Sequence, residues 1–255
     1  MEIIIKNVEL HHRSWKINAF SIIPANGDMN LHHAVLSHGY TASKESILNW
    51  GTTLAQRGIP TIIFDLPGHY LGSFNEVDSF DEFSNHGYQL FAVALTALLK
   101  ETRAETDRII LGGHSLGALF ALLAAKDSSL NNYHKEFVTA GFGLAPVDRN
   151  HVFETDFYKS TLNIRRQLIS KELSPKNLLP FIKQAKLNLQ LQNERIYIVS
   201  GKDDIIVEDG ATRLKNYLQD LGNEVHLDSP DKLPHNQPEL AVYHILKYLR
   251  SIHCY

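Results

Sequence analysis

Asp107-Arg108-Ile109-Ile110-Leu111-Gly112-Gly113-His114-Ser115-Leu116-Gly117 is the stretch that decides the fold. The apolar run before the two glycines predicts a buried strand. The residues that follow, 116–125, are apolar on nearly every side and predict a helix buried against a sheet. Ser115 would then lie at the corner between strand and helix, the position in which a G-x-S-x-G pattern holds a nucleophile. Glycines flank it on both sides and tolerate the strained backbone of such a corner.

The helix after this corner would direct its free N–H groups and the positive end of its dipole at a developing oxyanion. The alternative interpretation is a glycine-rich turn between two core elements that carries an incidental serine. An acid and a histidine that follow Ser115 in that order would favour the catalytic interpretation.

Strands and helices alternate on both sides of the corner. Two alternating segments near the start predict an antiparallel edge, and the rest of the chain predicts right-handed crossovers in a mostly parallel sheet with helices on both faces. The predicted strands are residues 2–9, 15–23, 34–37, 61–64, 107–111, 137–144, 195–200 and 224–227. The predicted helices are residues 44–57, a long helix from Ser79, 116–125, 208–221 and 238–253.

The alternation lapses between residues 147 and 193, where two or three short helices are predicted with Pro175 and Pro180 as breaks. This insertion leaves from the carboxyl end of a strand, the edge at which open α/β sheets bind ligands. It therefore predicts a small helical lid over a site, and a surface decoration without substrate contact is the alternative. The predicted division is a core of residues 1–146 and 194–255 and a lid of residues 147–193.

Composition limits the possible functions. The chain has 255 residues, 44% of them hydrophobic, and a net charge of −3 without long charged blocks, so neither nucleic acid nor an anionic membrane is an expected partner. It contains no run of about 18 apolar residues, so no membrane span is expected. Residues 1–10 predict a strand rather than a signal peptide. The single cysteine, Cys254, favours a reducing compartment, and a cytoplasmic protein is expected.

The histidines give no metal-binding pattern. His11-His12 and His32-His33 are adjacent pairs, whose side chains point to opposite faces of a strand, and they are interpreted as solvated surface residues. The sequence has neither H-E-x-x-H nor a Cys/His spacing typical of zinc. It has no P-loop and no G-x-G-x-x-G after a strand, so no metal and no cofactor is expected.

An elbow serine needs a base that takes its proton and an acid that orients the base. The chain supplies candidates for both after Ser115, at the ends of predicted strands and in the order Ser, Asp, His. With these residues the chain resembles the α/β-hydrolase superfamily of the esterase and lipase type, from His38-Gly39 to the final helix.

The resemblance implies the identity of the acid and the base. Gly201-Lys202-Asp203-Asp204-Ile205-Ile206-Val207 matches the superfamily's G-x-x-D-x-x-V pattern, which selects Asp204 over Asp203. Asp148 is a third candidate, because some members carry the acid after the preceding strand. The superfamily keeps its histidine in the loop before the last helix, where this chain has His235. His226 and His244 are interpreted as packing or surface residues.

Two backbone N–H groups, of Leu116 and of Tyr40, are expected to form the oxyanion hole. Asp65-Leu66-Pro67-Gly68-His69 resembles the superfamily's D-x-P-G-H loop, but Tyr70 stands where a glycine is common. The His38-Gly39-Tyr40-Thr41 loop, followed by Ser43-Lys44-Glu45, further resembles cinnamoyl and feruloyl esterases.

The sequence therefore predicts acyl transfer to water from a small-molecule ester with an acyl or aromatic part. Ser115 would be the nucleophile, His235 the base and Asp204 the residue that orients the base. Thioesters and peptide bonds are less favoured substrates. Cofactor-free lyase or C–C bond hydrolysis, and a ligand receptor on the same fold, are the alternatives.

Overall fold

The computed structural model describes residues 1–25, 29–73, 76–146 and 155–255. In these ranges eight strands form a single sheet in the order β1-β2-β4-β3-β5-β6-β7-β8. The strands are β1 (Ile3–His12), β2 (Trp15–Pro24), β3 (His32–Ser37), β4 (Thr61–Phe64), β5 (Arg108–His114), β6 (His134–Ala140), β7 (Arg195–Val199) and β8 (Glu224–Asp228). β1 and β2 pair antiparallel, β2 joins β4 antiparallel, and every pair from β4 to β8 is parallel. The predicted antiparallel edge on a mostly parallel sheet is confirmed.

Helices cover both faces of this sheet. The α-helices of the described ranges are α1 (Leu48–Ala55), α2 (Phe80–His86), α3 (Leu90–Thr102), α4 (Leu116–Leu123), α5 (Asp156–Arg165), α6 (Pro175–Leu187), α7 (Gly210–Asp220) and α8 (Val242–Ser251). Buried side chains of α3, α4 and α7 pack on one face, and those of α1 and α8 pack on the other. Successive residues of a strand point to opposite faces of the sheet, so Ile109 belongs to the core on the first face and Ile110 to the core on the second. One continuous apolar run therefore contributes side chains to both cores.

The parallel strands end level with one another, and this register assembles the site. Ser37 of β3 pairs with Gly113 of β5, and Ala140 of β6 pairs with His114. Val199 at the end of β7 pairs with Ala140. The loops that follow these strands therefore leave from one edge of the sheet, the edge at which open α/β sheets bind ligands.

Several predicted boundaries differ from the structure. A 3₁₀ turn at Gly87–Gln89 divides the long helix predicted from Ser79 into α2 and α3. Two further differences have a physical cause. The strand predicted at 137–144 begins at His134 and ends at Ala140, because Gly141 has a left-handed φ of 59° that turns the chain out of the sheet. Pro180 lies inside α6 instead of ending a helix. Pro180 has no backbone N–H and so leaves one helical hydrogen bond unmade. The packing of the nearby Leu178, which is 0% exposed, stabilises the helix in spite of this loss.

The segment between β6 and β7 contributes no strand to the main sheet in its described part, residues 155–193. It carries α5, α6 and two 3₁₀ turns at 166–168 and 171–173, and Ile169 forms one isolated bridge to His69. The division into a core and a lid stays a prediction. No helix in the described ranges is both long and apolar enough to cross a bilayer.

The interpretation of His32 and His33 as surface residues is wrong. They are 6% and 1% exposed, because β3 begins at His32 and runs through the middle of the sheet. His33 pairs through Nε2 with the hydroxyl of Thr102 at 3.2 Å. His11 and His12 do lie in the edge strand β1, where His11 is exposed.

Buried histidines should make the protein sensitive to acid. Burial lowers the pKa of His33 and of His38 to about 4, lowers that of His69 to about 3, and lowers that of His114 well below its usual range. Between pH 4 and 6.5 the unfolded chain therefore binds protons that the folded chain does not, so stability falls as the pH falls through this window. For His33 or His38 the loss, fully developed below pH 4, is about 3 kcal/mol.

Urea unfolding between about pH 7 and pH 4.5 measures this loss as a falling free energy of unfolding. His33→Gln removes one titrating group, so its unfolding should couple to one proton fewer than that of the unmodified chain. A free energy of unfolding that stays constant across this range would contradict the prediction.

Candidate active site

The corner at Ser115 is a strained turn held from two sides. Ser115 has φ 51° and ψ −107°, lies between β5 and α4, and donates its backbone N–H to the carbonyl of Ala140 at 2.9 Å. A Cβ at Gly113 would lie 2.2 Å from the carbonyl oxygen of Ser37, and one at Gly117 would lie 2.3 Å from it. The backbone at the end of β3 therefore lies too close to the corner for a Cβ atom, and glycine is needed at both flanking positions. Ser115 itself stays partly exposed.

Three predicted residues meet at this edge of the sheet. The Oγ of Ser115 lies 3.2 Å from Nε2 of His235, and Nδ1 of His235 lies 3.0 Å from Oδ2 of Asp204. With a proton on Nδ1, His235 donates to the carboxylate and accepts from the serine hydroxyl. The side chain of His235 is 18% exposed, whereas that of Asp204 is 1% exposed. An arrangement of this kind can supply a nucleophile, a base and an acid that orients the base.

Asp204 is fixed in place by its own loop. Its Oδ1 accepts the backbone N–H groups of Ile206 and Val207, each at 3.0 Å, which leaves Oδ2 for His235. The neighbouring Asp203 points elsewhere and accepts the backbone N–H of Leu233 at 2.8 Å. Asp203 therefore supports the loop that carries His235 without contacting the imidazole.

The other candidates lie away from this cluster or outside the described residues. His244 pairs through Nδ1 with Asp228 at 2.7 Å, and the ring of His226 stacks against Tyr197 and Tyr248. Asp148 lies outside the described residues. In the described ranges no group of three or more His, Cys, Asp or Glu side chains could hold a metal ion.

Tyr40 and Leu116 line the same cavity as Ser115. Leu116 is the first residue of α4, so its N–H has no partner within the helix. The hydroxyl of Tyr40 donates to the carbonyl of Leu173 at 2.8 Å, which ties the loop after β3 to a 3₁₀ turn of the inserted segment. Burial raises the pKa of Tyr40 far above its usual range, so the hydroxyl stays protonated.

A buried network supports the loop that carries Tyr40. His38 accepts the backbone N–H of Leu66 through Nε2 at 2.9 Å, and its Nδ1 donates to the carbonyl of Gly39 at 2.8 Å. Asp65 accepts both the backbone N–H of Lys44, at 2.8 Å, and its ammonium, at 2.9 Å. The D-x-P-G-H loop thus locks the loop after β3 in position. Tyr70, at the unusual position after that motif, lies in a turn and donates its backbone N–H to the carbonyl of Leu168 at 2.9 Å.

His114, which precedes the serine, was not singled out from the sequence. It is 7% exposed, and its ring centroid lies 4.8 Å from that of His235. Burial holds the pKa of His114 well below its usual range, so a neutral ring packs against the candidate base. Its position in the G-x-S-x-G pattern was the one available signal.

The cavity in front of Ser115 has a volume of about 190 Å³. Leu116 and Leu119 form part of its floor, while Leu162, Leu179 and Ile182 reach it from α5 and α6. Tyr158, Arg165 and Lys186 of the same two helices also line it. The sequence predicted a helical lid, but the periodicity of α5 and α6 gave no sign that two cations would face the cavity.

Residues 34–219 match the model of the alpha/beta hydrolase family. The chain belongs to this family. The match spans well over half of the sequence and contains Ser115 and Asp204, and it identifies the protein as a hydrolase. No curated protein matches the sequence.

Several solved structures have the same fold as this alpha/beta hydrolase over nearly its whole length. An esterase from Pyrococcus furiosus superposes with a TM-score of 0.64 at 16% identity, over 98% of this chain and 93% of that one. The 2-hydroxy-6-oxo-6-phenylhexa-2,4-dienoate hydrolase of Rhodococcus sp. strain RHA1 gives 0.63 at 12% identity, over 98% and 99%. An acylaminoacyl peptidase from Pyrococcus horikoshii gives 0.63 at 14% identity, over 97% of this chain and 41% of that one. At these identities the similarity concerns the fold, which supports the predicted architecture.

Proposed function

We propose that this alpha/beta hydrolase is a serine esterase that hydrolyses small carboxylic esters through an acyl-enzyme. The observation that carries the proposal is the hydrogen-bonded series from Ser115 through His235 to Asp204, with distances of 3.2 Å and 3.0 Å. A serine is weakly nucleophilic alone, and a positioned base with an oriented tautomer is what activates it.

The proposed reaction begins when Ser115 Oγ attacks the ester carbonyl and its proton passes to Nε2 of His235. The negative charge that develops on the carbonyl oxygen accepts hydrogen bonds from the N–H groups of Leu116 and Tyr40. His235 then returns the proton to the leaving alcohol, and an acyl-serine remains. A water molecule, deprotonated by His235, hydrolyses the acyl-serine and restores the enzyme. Asp204 holds the imidazole in the productive orientation and stabilises its protonated form.

We infer that the helices of residues 155–187 act as a lid over this reaction. Leu162 of α5 and Ile182 of α6 line the cavity, and Tyr40 bonds to Leu173 between the two helices. Such a cover excludes water from the reacting carbonyl and so strengthens the electrostatic contribution of the oxyanion contacts.

Hydrolysis of a p-nitrophenyl ester series from acetate to palmitate tests the proposed function. The volume of about 190 Å³ favours short acyl chains, so we expect kcat/KM to be highest between acetate and hexanoate and to fall for long chains. A fluorophosphonate should inactivate the enzyme and leave one phosphonate, which mass spectrometry should locate on Ser115.

Heat-denatured protein is the control for spontaneous hydrolysis and for non-specific labelling. Failure to hydrolyse any ester, together with no phosphonate on Ser115, would contradict the esterase proposal. Tight ligand binding without turnover would then favour a receptor, and product analysis on a C–C substrate would identify a C–C hydrolase.

A further inference from the structure

Among the described residues that line the cavity in front of Ser115, the formally charged side chains are all positive. Arg165 and Lys186 line it, and none of its described lining residues is an aspartate or a glutamate. Asp204 lies behind His235 and does not line the cavity. A concave site of one sign of charge attracts and retains ligands of the opposite sign.

Lys186 is the more informative of the two cations because its ammonium is turned inward. The side chain extends from α6 so that Nζ donates to the carbonyl oxygen of Gly143 at 2.6 Å. The same Nζ lies 4.5 Å from the centroid of the Phe142 ring. Both partners follow β6 and line the cavity together with Ser115. The charge of Lys186 is therefore held next to the proposed ester-binding space.

Within the described part of the chain, the ammonium of Lys186 has more donors than acceptors. It carries three N–H groups, and Gly143 O is its hydrogen-bond acceptor among the described residues. No acidic side chain of the described ranges pairs with it. Burial lowers the pKa of Lys186 to about 8, so at neutral pH most molecules still carry the positive charge. Two donors of a cation thus remain for a ligand.

Arg165 adds a second positive charge on the side of the cavity formed by the loop after β3. Its guanidinium donates to the hydroxyl of Thr41 at 3.3 Å, and in the described ranges it makes no ion pair. Arg165 is exposed to solvent, so it attracts an anion to the cavity, whereas the partly buried Lys186 is placed to bind it.

Anchoring of α6 to Gly143 does not by itself account for a lysine at this position. Partial burial of an ammonium costs free energy. The hydrogen bond to the Gly143 carbonyl and the contact with the Phe142 ring offset only part of this cost. A methionine would cover Phe142 without that cost. A negatively charged ligand would offset the remaining free-energy cost of partly burying the Lys186 ammonium.

We propose that the substrates are esters that carry a carboxylate, which Lys186 binds with a charge-assisted hydrogen bond while Ser115 attacks the ester carbonyl. The proposal rests on the proposed esterase function and specifies its substrate class. The carboxylate belongs either to the acyl part, as in the half-ester of a dicarboxylic acid, or to the alcohol part. The two sources present the same chemistry to Lys186.

Matched ester pairs at neutral pH test the proposal. For the acyl part, the mono-p-nitrophenyl esters of adipic and suberic acid are compared with p-nitrophenyl hexanoate and octanoate. For the alcohol part, 4-carboxyphenyl butyrate is compared with phenyl butyrate. The wild type should prefer the anionic ester in one of the two comparisons. In that comparison, Lys186→Met should lower the ratio of anionic to neutral kcat/KM by about 10- to 100-fold, the range expected for a lost charged hydrogen bond.

Lys183→Met is the matched control, because Lys183 is an exposed lysine of the same helix that does not line the cavity. Its ratio should equal that of the wild type. A wild-type series without any variant gives a second test if Lys186→Met does not fold. In the acyl series, p-nitrophenyl 6-(trimethylammonio)hexanoate should be a poorer substrate than the hexanoate and the adipate half-ester a better one. In the alcohol series, 4-carboxyphenyl butyrate should be a better substrate than its uncharged amide, 4-carbamoylphenyl butyrate. Failure of both series to show the expected order would overturn the inference.

The outcomes separate this inference from the proposed function. Neutral esters that are hydrolysed with no preference for a carboxylate, or an unchanged ratio in Lys186→Met, would overturn the inference and leave the esterase proposal intact. For a protein without turnover, calorimetry reports binding directly. Monomethyl adipate is compared with methyl hexanoate for the acyl part, and 4-carboxyphenyl butyrate with phenyl butyrate for the alcohol part. Equal affinities within both pairs, or a loss of affinity in Lys183→Met as large as that in Lys186→Met, would overturn the inference in that case.

Discussion

Replacing Ser115 with alanine is expected to lower kcat for p-nitrophenyl butyrate by roughly 10⁴- to 10⁶-fold. The hydroxyl is the proposed nucleophile, and neither water nor His235 can replace it at the corner between β5 and α4. The cavity and the N–H groups of Leu116 and Tyr40 are retained, so a residual rate above that in water is expected. Steady-state and single-turnover kinetics with the same ester measure the loss.

Ser115→Ala should keep its fold, because alanine is no larger and the strained backbone of φ 51° is unchanged. Thermal unfolding should therefore give a midpoint close to that of the wild type. Ser84→Ala is the matched control. The hydroxyl of Ser84 donates a hydrogen bond to the backbone carbonyl of Asp81 within α2, and Ser84 does not line the cavity. Retention of full activity by Ser115→Ala would show that another residue is the nucleophile.

Asp204→Asn is expected to lower kcat by about 10⁴-fold. The amide oxygen of asparagine can still accept the N–H groups of Ile206 and Val207, so the amide nitrogen would face His235. A donor at that position favours the wrong imidazole tautomer, in which Nε2 carries the proton and cannot accept one from Ser115. Kinetics with p-nitrophenyl butyrate should show the loss mainly in kcat.

Asp203→Asn is the matched control for the choice between the two adjacent aspartates. Its amide oxygen can keep the 2.8 Å bond from the N–H of Leu233, so activity within a few-fold of the wild type is expected. The opposite pattern, with Asp203→Asn inactive and Asp204→Asn active, would assign the acid to Asp203 and contradict the interpretation of the geometry.

The proposed carboxylate specificity concerns a different part of the site from the two large losses. Ser115 and Asp204 would act on every ester, whereas Lys186 would act on the choice between esters. An enzyme that uses a partly buried ammonium for this choice gains selectivity, because a neutral ester gives that ammonium no anionic partner. The kinetic signature of Lys186→Met is therefore a ratio, and that of Ser115→Ala is a rate.

The corner at Ser115 could be predicted from the sequence because its causes are local. Two glycines, an apolar strand and an apolar helix leave few ways to connect them. The structure has the predicted strand and helix, although β5 continues to His114 instead of ending at Leu111 and α4 ends at Leu123 instead of Ala125. The boundary at Ala140 could not be predicted in the same way. Apolar residues continue past the end of β6 at Phe142 and Leu144, and only the positive φ of Gly141 ends the strand.

The burial of His32 and His33 and the continuity of α6 through Pro180 also depended on distant parts of the chain. A polar pair at a strand start is normally solvated, but β3 lies in the middle of the sheet and is covered on both faces. A proline normally breaks a helix, but packing around Leu178 stabilises the turns on either side of Pro180.

The sequence by itself determined the mostly parallel sheet, the serine corner and the order of the candidate residues, because periodicity, glycines and turn residues act over a few positions. The resemblance to the superfamily's pattern selected Asp204 over Asp203, but the contacts that separate the two aspartates belong to the tertiary structure, since their partners His235 and Leu233 come from another loop. The tertiary structure also turned Lys186 and Arg165 toward the cavity. Contacts between residues far apart in the chain are set by the packing of α5 and α6 on the sheet edge, and no local pattern encodes them.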